Sequence, residues 1–295
     1  MAKEIDLYAR QRRLAWWLIT PAVVVVFLVI GFPLVQVLIF SLLTYKLDGV
    51  TPATFCGLNN YHFVLTDADF WQSVWTTLTF TACSVILETI LGVTIAMVAS
   101  SKFKGRSLLR VAMLVPWAIP TVVSAQLWRW MFNDSYGVVN LILYGLHLIP
   151  TKIAWLAKPA TALPVIVAVD VWKTTPFMAL LLLAGLQLIP ADLYEAASID
   201  GATRVRQFWT ITMPLLLPTL LVALIFRTLD ALRVFDVFYV MVGETPGLST
   251  MAIYNRQQLV SFNDAGVGSA VSVIILIIIM TFVILYTRFS RQSFA

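Results

Sequence analysis

The sequence predicts an all-α integral membrane protein with six transmembrane helices and a short cytoplasmic helix in the fourth connection between them. Three observations predict it. Of 295 residues, 60% are hydrophobic and only 12% are charged, against about 45–50% apolar and about 25% charged in a soluble domain. Six apolar runs are long enough to span, since about 20 residues cross the hydrocarbon core. Lysine and arginine, finally, gather on alternate connections between the runs. The whole chain, 1–295, reads as one membrane domain. Its net charge of +5 sits beside apolar runs, which fits contact with anionic lipid headgroups and not with nucleic acid.

Residues 1–13 are polar and basic, and the first apolar run covers about 14–43. That is longer than the core of a signal peptide and lacks its small-residue cleavage site, so it reads as an uncleaved span. A loop with Asp48, Gly57, Asp67 and Asp69 follows, then the second span at about 74–99. Lys102, Lys104, Arg106 and Arg110 crowd the connection to the third span, about 108–131. A proline-containing loop precedes the fourth span, about 161–188, and the fifth is placed at about 212–240. A glycine-rich outer loop, 243–268, leads to the sixth, about 267–286, and a basic tail.

Six spans put both termini on one side. Twelve basic residues lie on that side: Lys3, Arg10, Arg12, Arg13, Lys102, Lys104, Arg106, Arg110, Arg204, Arg206, Arg288 and Arg291. The opposite loops hold four, Lys46, Lys152, Lys158 and Arg256. The bias assigns both termini and the connection around Glu195 to the cytoplasm.

That connection, about 190–209, is the longest mostly polar interruption in the second half of the chain. Asp192 is placed as an N-cap with Glu195 three residues on, the spacing of a capping box. Gly201 is placed to end the helix at positive φ, a second turn runs through Arg204 and Phe208, and Pro214 opens the next apolar run. Glu195-Ala196-Ala197, Gly201 four residues later, and Ile211 and Pro214 ten and thirteen after that resemble the cytoplasmic signature of permease subunits of bacterial ATP-driven (ABC-type) importers. The resemblance implies a coupling helix that docks on an ATPase subunit, with Glu195, Ala196, Ala197, Asp200, Gly201, Phe208 and Pro214 at the contact. It further implies a second permease subunit, forming a heterodimer, two ATP-binding subunits and an extracytoplasmic solute-binding protein. The location it implies is a bacterial inner membrane. Gly57-Leu58-Asn59-Asn60-Tyr61, VWKTTPFMALLLLAGL (171–186) and LIFRTLDALRVFD (224–236) resemble stretches of the maltose/trehalose-type sugar permeases within that family, which implies an oligosaccharide or glycoside cargo.

Charges within spans are costly, about 2.5–3.5 kcal/mol each on insertion scales, and are placed facing a cavity or a partner. Arg129 and Asp236 lie near span ends and are expected to snorkel. Glu88, alone on its span, is expected to close an interhelical hydrogen bond, and Arg233 and Asp236 to pair at i,i+3. Asp170, Thr174 and Phe177 share one helical face, as do Arg227, Asp230 and Val234. Both faces fall near mid-span, where transporters hold cargo. Sugar hydroxyls need paired donors and acceptors, which Asp170, Thr174, Arg227 and Asp230 supply. The apolar face of the ring needs an aromatic, Phe177 or Trp172. Lys173 points about 100° away from Thr174 and is given a structural role. The alternative for these charges is a salt-bridge network that only holds spans together.

The chain has no G-x-x-x-x-G-K-[ST] run, so it cannot cradle ATP by a P-loop. With no catalytic set either, it is expected to be no enzyme and to hold no cofactor of its own, ATP and Mg being bound by partner subunits. Cys56 and Cys83 are too differently placed to form a disulfide, and His62 and His147 stand alone, with no metal-ligand spacing. Other readings are the same machine for another polar cargo (a polyol, sugar phosphate or sulfonated sugar) and a carrier driven by an ion gradient.

Overall fold

A computed structural model describes the backbone of residues 2–292 and the side chains of residues 10–288. Lys3 and Arg291, counted above for orientation, have side chains outside that range. Among the described residues, five helices are long and apolar enough to cross a membrane, Arg10–Phe40, Ala68–Ser100, Pro159–Leu186, Arg204–Leu232 and Ala265–Arg288, and a bent pair, Arg106–Ala118 with Thr121–Met131, makes a sixth. These are the first to sixth spans in chain order once the bent pair is taken as the third. The chain divides into two compact units, one formed by the residues up to Asp67 with Asn255–Ile277, the other by Ala68–Tyr254 with the residues from Ile278 on.

In the first unit, the first span is one helix with a π-helical turn at Phe27–Gly31. A two-stranded hairpin follows, Leu43–Thr44 against Thr54–Phe55, where the sequence predicts only a loop. Asn60 holds it: its amide donates to the carbonyls of Ser41 (3.0 Å) and Leu43 (2.9 Å). Gly57, at φ +61°, turns the chain into helix Asn59–Thr66. The Asp264 carboxylate accepts from Val267 N at 2.9 Å and so caps the start of the sixth span.

In the second unit, the second, fourth and fifth spans pack together. Small residues let the backbones approach, as membrane packing requires when lipid gives little hydrophobic drive. A Cβ at Gly92 would stand 2.6 Å from Met178 Cγ, and one at Gly185 would stand 2.6 Å from Thr219 Oγ1. One core cluster gathers Val93, Ala96, Met178, Leu182, Leu216 and Leu220. Another gathers Phe80, Val85, Ile166, Val169, Phe238 and Ile253, with Phe80 edge-on to Phe238 at 5.1 Å between centroids.

Two expected straight spans are broken. The third bends by 89° between Ala118 and Thr121. Pro120 donates no hydrogen bond and forces the preceding residue out of the α region, and Ile119 is extended at φ −74°, ψ 132°. The fifth, expected at 212–240, begins eight residues sooner through a π-helical turn at Phe208–Thr212 and ends at Leu232. A separate helix, Asp236–Val242, follows. No proline or glycine marks this break; the Thr250 hydroxyl holds it by donating to Val234 O at 3.0 Å. Part of the glycine-rich loop after it folds inward. Leu248, Met251, Ile253 and Tyr254 are buried, and Thr77 Oγ1 accepts from Met251 N at 3.0 Å.

The connection between the fourth and fifth spans forms helix Ala191–Ile199, but not by the expected cap. Pro190 occupies the N-cap position and offers no side-chain bond, while Asp192 lies in the first turn. The capping box is absent, because proline sets the start and leaves Asp192 two residues past it. The other end is as expected: Gly201 sits at φ +76°. Ala202 N donates to Ala197 O (2.9 Å) and Gly201 N to Ser198 O (3.1 Å), the pair of bonds of a Schellman motif. Thr203 then caps Arg204–Gln207, and the Tyr194 hydroxyl meets Thr212 Oγ1 at 2.9 Å, tying the helix to the foot of the fifth span.

Candidate functional site

The fourth span places Asp170, Lys173 and Thr174 on adjoining faces near its middle, the second span brings Glu88, and the fifth brings Arg227 and Asp230. Arg227 is the hub. Its Nε and Nη2 fork onto the two oxygens of Glu88, Nη2 also meets Asp170 Oδ2, and Nη1 donates to Asp230 Oδ2 at 3.1 Å. Glu88 and Arg227 are buried, as is Asp170, whereas the Asp230 side chain is 60% exposed. The Thr174 hydroxyl lies 2.6 Å from Glu88 Oε1 and 2.7 Å from Asp170 O, donating within the same cluster. A planar guanidinium with five donors suits this arrangement as an ammonium would not. Glu88 does close the interhelical bond expected of it, and to the centre of the site.

Lys173 turns from this hub and donates from Nζ to Ile119 O at 2.8 Å, the carbonyl next to the break of the third span. Arg233 does not pair with Asp236. Its Nη2 stands 3.8 Å from Asp230 Oδ1, since the helix ends at Leu232 and Asp236 starts a new one. Nor does Arg129 simply snorkel: its Nη1 donates to Val240 O at 3.1 Å, linking the distal half of the third span to helix Asp236–Val242.

Two cavities open on either side of a ridge made by Thr174, Arg227, Asp230 and Arg233. One, of about 200 Å³, is polar and reaches Asp170, Lys173, Thr121, Val234 and Asp236. Thr121 and Asp236 each stand in the first turn of a helix that resumes after a break, so both interrupted spans end at this cavity. The other, of about 240 Å³, is completed by Trp117, Phe177 and Phe226. A larger cavity of about 300 Å³ lies among Arg129, Phe132, Asn133 and Trp155. It touches none of the buried charges, and its polar groups serve the local turn: Asn133 Oδ1 accepts from Ser135 N at 2.9 Å.

Of the residues expected to contact cargo, Asp170, Thr174, Phe177, Arg227, Asp230 and Val234 line one or both cavities. Trp172 does not. It packs edge-on against Trp128 at 5.4 Å between centroids, two residues and about 200° of helical rotation from Asp170. Trp117, Phe226 and Asp236 were not expected. The signal for Trp117 was its place between Pro116 and Pro120, which interrupts a span and exposes what lies at the break.

In the connecting segment, Glu195, Ala196, Asp200 and Gly201 are exposed, while Ala197 and Phe208 are half-buried. Ile199 is 87% exposed and Val205 69%, leaving an apolar surface beside the motif.

Residues 88–293 match the family model described as binding-protein-dependent transport system inner membrane component. The chain is 46% identical over 287 residues to the trehalose/maltose transport system permease protein MalF of Thermococcus litoralis, covering 96% of this chain and 95% of that protein. It is 40% identical over 284 residues to the sulfoquinovosyl glycerol transport system permease protein SmoG of Agrobacterium fabrum, covering 96% and 92%. Against the trehalose transport system permease protein SugA of Mycobacterium tuberculosis it is 39% identical over 265 residues, covering 90% and 84%. In fold it is similar to a chain of a bacterial ABC transporter involved in alginate import, with a TM-score of 0.84 at 21% identity over 97% of this chain and 99% of that one.

Proposed function

This chain belongs to the binding-protein-dependent inner-membrane transport components, and from that premise we propose that it is the permease subunit through which an ATP-driven importer passes an oligosaccharide or glycoside. A disaccharide of the trehalose or maltose kind, delivered by an extracytoplasmic solute-binding protein, is the cargo best supported. The permease is a membrane subunit and no enzyme; ATP and its Mg are held by two ATP-binding subunits, and a second permease completes the pathway as a heterodimer. Both termini face the cytoplasm. The observation that carries this reading is the ridge of Thr174, Arg227, Asp230 and Arg233, with a polar cavity on one side and an aromatic one on the other, at the point where two spans are interrupted. Interrupted helices lining a cavity are the way membrane transporters present polar groups to cargo.

Coupling fits the segment at Ala191–Ile199. The Schellman end at Gly201 and the Tyr194–Thr212 contact make the helix a rigid extension of the fifth span. Glu195, Ala196, Ala197, Asp200, Gly201, Phe208 and Pro214 are the residues proposed to meet or shape the ATPase contact, with Ile199 and Val205 adding apolar area. Force on the helix then reaches Arg227 through the Tyr194–Thr212 contact and the continuous helix Arg204–Leu232.

The test is ATP hydrolysis and uptake by the reconstituted complex with its binding protein, across trehalose, maltose and sulfoquinovosyl glycerol. Stimulation by a glycoside with matching uptake supports the reading. Uptake without any ATPase subunit, driven by an ion gradient, overturns it.

A further inference from the structure

We propose that Trp117, on the third span, contacts the cargo and forms with Phe177 and Phe226 an aromatic subsite for one pyranose ring. The inference rests on the glycoside reading above and adds a third span to the contact surface. Trp117 lies in a four-residue helix, Val115–Ala118, between two prolines. The chain then turns by 89°, so no continuing helix covers the indole, which stays half exposed. It stacks nearly parallel on Phe177, with centroids 6.2 Å apart and planes 16° apart. The two rings and the exposed ring of Phe226 line the same 240 Å³ cavity as Thr174, Asp230 and Arg233.

That combination has a chemical meaning. A pyranose is amphipathic: its axial C–H groups make an apolar face, and its hydroxyls a polar rim. Aromatic faces carry negative charge density that attracts C–H hydrogens. The rim needs donors and acceptors with free capacity. Arg227 has little to give, since its N–H groups are committed to Glu88, Asp170 and Asp230. Asp230 and Arg233 remain open, with side chains 60% and 69% exposed. Aromatic wall and free polar pair face one space no larger than a fragment-sized site, which suits one ring. The second ring of a disaccharide then crosses the ridge into the polar cavity.

An exposed tryptophan on a membrane protein also arises as an interfacial anchor. Trp16 and Trp17, near the start of the first span and 62% and 80% exposed, fit that description. Trp117 differs in being stacked on a cavity-lining ring and in sharing that cavity with the charged ridge.

The test uses the complete transporter in proteoliposomes, with trehalose and maltose as probes. Trp117→Ala is expected to lower sugar molecules moved per ATP hydrolysed at least fivefold, with stimulation by the loaded binding protein retained, and Trp117→Tyr to stay within about twofold of the parent. Trp130→Ala, an exposed tryptophan away from the ridge, is expected to change nothing. Contact itself is read with Trp117→Cys in a background with Cys56 and Cys83 replaced by serine. Cargo present during turnover is expected to slow its alkylation by a maleimide. Normal coupling in Trp117→Ala together with unprotected alkylation overturns the subsite while leaving the importer standing. Failure of the parent complex to import trehalose, maltose and sulfoquinovosyl glycerol alike overturns the glycoside reading and the subsite with it.

Discussion

Arg227 and Glu88 lie 139 residues apart in sequence and meet as a fork on a fork, Nε on Oε2 and Nη2 on Oε1, with both side chains buried. The pair joins the second span to the fifth, and Asp170 and Thr174 bring in the fourth. Removing one partner of a buried ion pair strands the other and is typically destabilising by about 3–5 kcal/mol, whereas replacing both by apolar groups of similar volume is often neutral. Arg227→Met is therefore expected to lower the thermal unfolding temperature of the purified complex sharply. Glu88→Gln and Asp170→Asn combined with Arg227→Met leave no buried charge stranded and recover much of that loss. A triple variant no better than Arg227→Met alone rules out the network role.

The Schellman end of the connecting helix predicts a separable defect. With Gly201 at φ +76° and open space where a Cβ would go, substitution strains the backbone without a clash. An L-residue at left-handed φ costs roughly 1–2 kcal/mol, too little to unfold the span but enough to misdirect the helix. Gly201→Asp is expected to insert and assemble while ATP-driven uptake falls to background, and Gly201→Asn, which tolerates this region better, to retain part of it. Full uptake by Gly201→Asp at normal expression removes the coupling role.

Orientation is tested by thiol labelling in intact cells, in a background with both native cysteines replaced. Val50, 85% exposed, is expected to react as cysteine with an impermeant reagent added outside. Ile199, 87% exposed, is expected to react as cysteine only once the membrane is opened. The reverse labelling order overturns the placement of the termini.

How much of this was legible in the sequence follows from what each signal measures. Hydropathy reports transfer from water, so the existence of six apolar segments was readable. It is blind to direction within the bilayer, so the 89° turn after Ala118 and the unmarked break at Arg233–Phe235 were not. Helical phase grouped Asp170 with Thr174 and Arg227 with Asp230 correctly, because those pairs sit in unbroken helix. The same arithmetic paired Arg233 with Asp236 wrongly, since it assumes the helix continues. Glu88 was legible as a buried polar group, yet its partner lay far along the chain. Of the two aromatics expected at the sugar face, Phe177 lines a cavity and Trp172 packs against Trp128, while Trp117 stood on a span whose break had not been foreseen.

The turn at Asp48 gives a pH prediction. Its carboxylate accepts from the Thr51 hydroxyl (2.6 Å), Thr51 N (2.9 Å) and Val50 N (3.0 Å), and these bonds, the Thr51 hydroxyl first, hold its pKa down to about 2. An unperturbed aspartate titrates near 3.9. A lowered native pKa means that the turn's stabilisation is complete above about 4 and is lost as pH falls through about 2. Limited proteolysis at 47–51 is expected to be flat from pH 8 to pH 4 and to rise only below about pH 3. Asp48→Ala is expected to show the raised cleavage at every pH.

Asp230 separates binding from stability. Its ion pairs with Arg227 and Arg233 involve a carboxylate that is 60% exposed, and exposed pairs are worth about 0–1 kcal/mol. A hydrogen bond from a sugar hydroxyl to a charged group is worth about 1.5–3 kcal/mol, equivalent to roughly tenfold or more in an equilibrium. The two magnitudes point in different directions for a substitution that keeps shape and removes charge. Asp230→Asn is expected to leave the unfolding temperature within a degree or two of the parent and to cut sugar uptake about tenfold, with ATP hydrolysis of the assembled complex preserved. Thr174→Val contrasts with it. Its hydroxyl serves Glu88 inside the network, so its loss is expected to lower stability and uptake together, and Thr174→Ser to restore both. If Asp230→Asn transports normally while remaining folded, cargo is not held at the ridge, and the contact surface lies on the partner permease.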